Sequence, residues 1–123
     1  MDTHVVLWFL GDAAKLSEAA LNVILDPASE KYVSIVSAWE AAVKISLGKL
    51  RFDGGAADFF RVVEENGFTI LPVKRKHVEL VETLPFHRRD PFDRMLVAAA
   101  ASESMNFVTS DANIRLYGVD CVW

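Results

Sequence analysis

Four acidic residues fall at junctions between patterned stretches: Asp2 before an apolar run, Glu40 and Asp93 early in helix-like segments, and Asp111 directly after Phe107-Val108-Thr109. Brought together, such carboxylates make an oxygen-only cage, which suits a hard cation such as Mg2+ or Mn2+. A cation of that kind can lower the pKa of a bound water and neutralise developing negative charge. The chain has no zinc-type set of ligands: its only cysteine is Cys121, and its histidines are the scattered His4, His77 and His87.

Each acid also has a purely structural explanation. Ser37-Ala38-Trp39-Glu40 matches the S-x-x-E capping box, and Glu40 with Lys44 makes a favourable i, i+4 pair on an exposed helix. Asp90 followed by Pro91 is an N-cap pattern, and Asp93 then lies in the first helical turn, where negative charge is favoured. Asp111 after Ser110 fits a plain cap. The case for a site rests on the set.

The elements that must position these acids alternate between short β-branched runs and helix-period stretches, the pattern of a parallel sheet covered by helices. Strands are expected over residues 32–35, 68–73, 106–109 and 119–123. Ser17 caps a helix that Asp26-Pro27 ends. Further helices are expected over residues 37–47 with Gly48 as the stop, around Ala56 to Val63 with Asn66-Gly67 as the stop, over 74–83, and from Pro91 through the all-apolar stretch 95–101. Residues 111–116 form a short helix ended by Gly118. Residues 5–10 are a six-residue apolar run that fits a strand or a buried helix, and propensity leans weakly toward strand.

With 123 residues, 52% apolar and 24% charged, the chain is sized and composed for one folded domain, which excludes a disordered segment. Seventeen acids against 13 bases give a net charge of −4, which excludes nucleic-acid binding through bulk positive charge. Any RNA contact must be local, and Lys74, Arg75, Lys76, Arg88, Arg89 and Arg94 supply nearly half of the 13 bases within one stretch. Arg88, Arg89 and Arg94 flank Asp90 and Asp93, where they are candidates to hold phosphates. Set Asp2, Glu40, Asp93 and Asp111 aside, and acids and bases balance at 13 each. A lone cysteine fits a reducing compartment, no apolar run approaches the roughly 18 residues of a membrane span, and no basic leader opens the chain. A cytoplasmic location without membrane insertion is expected. Trp8, Trp39 and Trp123 are expected as core or interface aromatics.

Asp2-Thr3-His4, Ser37-Ala38-Trp39-Glu40, Gly48-Lys49-Leu50, His87-Arg88-Arg89-Asp90-Pro91-Phe92-Asp93-Arg94 and Thr109-Ser110-Asp111 occur in that order along the chain. Together they resemble PIN-domain proteins of the VapC toxin type, over essentially the whole length. The resemblance implies an α/β fold, a three-layer α/β/α sandwich around a central, mostly parallel sheet, as a single domain over residues 1–123. It implies a Mg2+-dependent endoribonuclease, the toxin component of a toxin–antitoxin pair. Carried over residue by residue, the catalytic acids are Asp2, Glu40, Asp93 and Asp111, with Asp2 and Asp93 on the metal and Asp90 as the helix cap. It also implies a homodimer, a small antitoxin whose peptide covers the acidic groove, and a helix rather than a strand over residues 5–10. One departure stands out: only Met1 precedes Asp2 where the family carries a central strand, so either the true start lies a few codons upstream or most of that strand is absent. Two other functions fit the same residues, a PIN nuclease of RNA processing without an antitoxin and a catalytically inactive interaction module. A phosphorylated receiver domain does not fit, because it needs an acidic pair after the first strand and a lysine after the last.

Overall fold

The computed structural model describes residues 1–123. Helix α1 is Thr3–Gly11, α2 Glu18–Leu25, β1 Tyr32–Ser34, α3 Ile35–Ser46, α4 Gly55–Glu65, β2 Thr69–Leu71, α5 Arg75–Thr83, α6 Pro91–Ser102, β3 Phe107–Val108 and β4 Cys121–Val122, with 3-10 turns at Ala13–Lys15 and Ala112–Tyr117. The class is α/β and every strand pairing is parallel. The strands form two pairs instead of one continuous sheet: β1 with β2, Val33 opposite Ile70, and β3 with β4, Val108 opposite Val122. Between the pairs lies a cavity of about 380 Å³ whose lining includes Met1, Tyr32, Ser34, Phe107 and Val108. A single backbone bond, Asp2 N to Val108 O at 2.9 Å, continues the ladder from β3 into this gap.

Residues 5–10 are helical, against their weak strand propensity. Two local facts decide it. Asp2 caps the helix, its Oδ1 accepting the His4 amide at 3.0 Å, and Val5 and Val6 are wholly buried in the larger core with Ile24, Val33, Phe59 and Val63. Burial of two valines, about 1.5–3 kcal/mol each, outweighs a propensity difference of a few tenths.

The start of α3 also differs from expectation. Ser34 is the cap, its Oγ accepting the Val36 amide at 3.1 Å, so Ile35 opens the helix instead of ending the strand. The Ser37–Glu40 capping box therefore does not form. Ser37 sits within the helix, fully buried, and its hydroxyl accepts a hydrogen bond from Thr3 Oγ1 at 3.0 Å. Asp90 caps α6 as expected, its Oδ1 accepting the amides of Phe92 and Asp93 at 2.8 and 3.1 Å, with Pro91 at the first helical position. Leu96 through Ala100 are then buried, and the small alanines let α6 pack closely with Val36, Phe107 and Ile114 around it.

Candidate active site

The C-terminal ends of the parallel strands are where loops and helix starts converge in such folds. The acids stand there. β3 runs into Thr109 and Asp111, β1 runs directly into α3 and Glu40, and Asp2 is held against β3 by its backbone bond to Val108. Asp93 enters on the first turn of α6.

Thr109 links two of them. Its Oγ1 donates to Asp2 Oδ2 at 2.9 Å and accepts the Asp111 amide at 3.0 Å. Burial alone would raise the Asp2 carboxyl; the hydrogen bonds from His4 and Thr109 outweigh it and leave the pKa below its ordinary value. His4 Nδ1 lies 3.6 Å from Asp2, and that carboxylate raises the imidazole's pKa against the opposing effect of burial.

Asp93 is shifted the other way. Burial raises its pKa, as do the nearby charges of Asp90 and Asp2, while Arg88 opposes the rise. Arg88 then connects Asp93 to Asp111: its Nη2 is 3.0 Å and its Nε 3.3 Å from Asp93 Oδ2, and its Nε is 3.1 Å from Asp111 Oδ2. Asp93 in turn holds the guanidinium more firmly protonated. Asp111 doubles as the cap of the 3-10 turn, with Oδ1 accepting the Asn113 amide at 2.9 Å.

Glu40 is buried, not on an exposed helix face, and its Oε2 lies 2.5 Å from Lys44 Nζ. One turn earlier on the same helix, Ser37 is bonded to Thr3, the neighbour of Asp2. Asp2, Asp93 and Asp111 are thus brought together by Thr109 and Arg88, while Glu40 pairs with Lys44. No three acidic or histidine side chains are arranged to ligate one ion as they stand. The donor chemistry suits a hard cation, and the space between Asp93 and Asp111 is taken by a guanidinium.

The three candidate phosphate ligands separate. Arg89 is exposed and at the mouth of a largely apolar pocket beside Trp39 and Phe86. Arg88 is the bridge just described. Arg94 is buried: its guanidinium donates to the carbonyls of Pro85, Val81 and Leu84 at 2.8, 3.1 and 3.1 Å and stacks 4.0 Å over the Phe86 ring. Arg94 therefore belongs to the scaffold and is no candidate phosphate ligand, because its donors are spent on the end of α5 and the loop after it. Lys74 and Lys76 are tied up as well, at 2.9 and 3.1 Å from Glu103 Oε1.

Two further site residues lie outside the acid pattern. Thr109 is marked in sequence only as a strand end two residues before an aspartate, a spacing that favours a side-chain turn. Tyr117 has no sequence signal: its hydroxyl accepts the Arg88 amide at 2.9 Å and donates to the Arg88 carbonyl at 3.3 Å, from 29 residues away. Trp39 is 60% exposed, so it is not a core residue, and it meets the edge of Phe92 at 4.8 Å.

The fold and site define an α/β protein with acids gathered at the strand ends. The PIN domain family model matches residues 1–119, and the chain belongs to the PIN-domain family. PIN domains are generally nucleases that use divalent metal ions. A solved structure of VapBC2 from Rickettsia felis, bound to a DNA fragment from its promoter, has the same fold: TM-score 0.72, 10% identity, 98% of this chain and 93% of that one covered. No curated protein sequence matches the chain.

Proposed function

We propose that this PIN domain is a Mg2+-dependent endoribonuclease and the toxin component of a VapC-type toxin–antitoxin pair, with Mn2+ as a possible substitute cation. The observation that carries the reading is the convergence of Asp2, Asp93 and Asp111 at the strand ends, linked by Thr109 and Arg88. Asp2 and Asp93 would hold the cation, and Glu40 and Asp111 would complete its surroundings through water or orient the attacking water. A bound divalent cation supplies Lewis acidity and charge neutralisation at the scissile phosphate. The protein's own residues do the rest: Thr109 fixes the Asp2 carboxylate, Asp90 fixes the first turn that presents Asp93, and Arg88 and Arg89 meet phosphates. The net charge of −4 is compatible with an RNA substrate on this reading, because a cation offsets the acids that account for the excess.

The R. felis structure of the same fold is VapBC2 bound to a DNA fragment from its promoter, which supports an antitoxin as this chain's partner. A homodimer and a cytoplasmic location belong to the same proposal. No helix is long and apolar enough to cross a membrane. The test is Mg2+-dependent cleavage of single-stranded RNA by the wild type, Asp93→Asn and Asp2→Asn, with metal titration alongside. Cleavage lost in both variants supports the reading; undiminished cleavage removes these acids from the mechanism. A wild type that neither binds metal nor cleaves is the inactive interaction module.

A further inference from the structure

Arg88 occupies the space where two site acids would have to meet a cation. Its backbone is fixed, because the Tyr117 hydroxyl clamps both its amide and its carbonyl at 2.9 and 3.3 Å. Its side chain is not, being 39% exposed, more than either acid it binds. The guanidinium reaches Oδ2 of Asp93 through Nη2 and Nε, and Oδ2 of Asp111 through Nε. A fixed root, a long flexible stem and a partly wet head make a group able to swing out without disturbing the fold.

Two like-charged carboxylates held close need a counter-charge, and either a guanidinium or a divalent cation can supply it. Held between Asp93 Oδ2 and Asp111 Oδ2, the guanidinium stands where a cation bridging them would sit, so the two compete for that space. We propose that Arg88 is a built-in competitor for the divalent cation: it neutralises Asp93 and Asp111 when metal is absent, and metal entry drives it outward to the RNA phosphate. On this view Arg88 contacts RNA only in the metal-loaded protein, and its pairing sets how much metal is needed for loading. The inference rests on the proposed metal role of these acids and goes beyond it by assigning the residue that opposes loading.

The test is calorimetric titration of the full chain with Mn2+, comparing wild type, Arg88→Ala and Arg88→Lys. Removing one partly exposed competitor of two carboxylates should tighten Mn2+ binding roughly three- to tenfold in Arg88→Ala, with a smaller gain in Arg88→Lys, whose single ammonium cannot bridge both acids as a guanidinium does. A second readout uses Mg2+ and nitrogen-labelled arginine: the Arg88 Nε–H signal should be protected from exchange without metal and lose that protection as Mg2+ is added. Metal binding of equal strength in wild type and Arg88→Ala overturns the competition and leaves the nuclease reading standing. No metal binding by either protein removes that reading and the competition with it.

Discussion

Thr109 holds Asp2 across 107 positions of sequence, its hydroxyl donating to the carboxylate at 2.9 Å in a fully buried contact. Thr109→Val keeps the shape and deletes the donor, leaving Asp2 with one partner fewer and the Asp111 amide with none. The expected loss is about 1–2 kcal/mol at pH 7, measured by urea denaturation. The pH dependence has a definite sign. A carboxyl whose folded pKa lies below its ordinary 3.8 stabilises the fold above that value and ceases to as pH falls through the folded pKa. The gap between wild type and Thr109→Val should therefore narrow at low pH; a gap that widens on acidification would sink the argument.

Arg94 predicts a stability defect, not a binding defect. Its three carbonyl partners lie at the end of α5 and in the following loop, where helix carbonyls have no partner in the helix itself. Arg94→Met keeps the apolar stem but removes the head stacked on Phe86 and strands the Leu84 and Pro85 carbonyls, at a cost of about 3 kcal/mol. The melting temperature should fall by several degrees. Protein that remains folded should bind RNA with an unchanged salt dependence, which a phosphate ligand would not allow.

A second, partly buried network joins α5 to the end of α6. The His77 Nδ1 accepts the Lys74 amide at 3.1 Å, so the ring proton sits on Nε2, which donates to Glu103 Oε1 at 2.8 Å. Lys74, His77 and Lys76 together hold the Glu103 carboxyl down to about 2, against an ordinary 4.5. This lowered pKa stabilises the fold above pH 4.5 and its contribution is lost as pH falls from there toward 2. Glu103→Gln should be less stable at pH 7 and should show a shallower fall in melting temperature between pH 5 and pH 2. Parallel curves for the two proteins over that range would show that Glu103 is not held as described.

What the sequence reveals depends on how local the cause is. The Asp90-Pro91 cap and the Ser17 cap are legible because donor and acceptor lie within three residues of each other. Ser34 and Ser37 are both plausible helix starts, and the choice is made by pairing: β1 runs to Ser34 opposite Leu71, so the helix can only begin after it. That shift turns Ser37 and Glu40 inward against α1, which no i, i+3 pattern shows. Arg94 is illegible for a similar reason. Its partners lie 9 to 13 residues back, and they meet it only once the loop after α5 has folded over α6. The acids themselves were readable as a set, but their link through Thr109 and Arg88 is a property of three dimensions.

Arg89 tests how an acidic protein would meet the proposed RNA substrate. It is exposed, borders a pocket with Trp39 and Phe86, and its side chain makes no ion pair, in contrast to Lys74, Lys76 and Arg88. A free cation of this kind is available to a phosphate, and each such contact contributes a slope of about −0.7 to log K against log salt for single strands. Measured by fluorescence anisotropy in an Asp93→Asn background, so that the RNA stays intact, Arg89→Ala should reduce the slope by about that amount. Lys76→Ala should leave it unchanged, because Lys76 is already committed to Glu103 and to the Ser102 carbonyl at 3.1 Å. If Lys76→Ala flattens the slope and Arg89→Ala does not, the RNA runs along α5 and away from the acids.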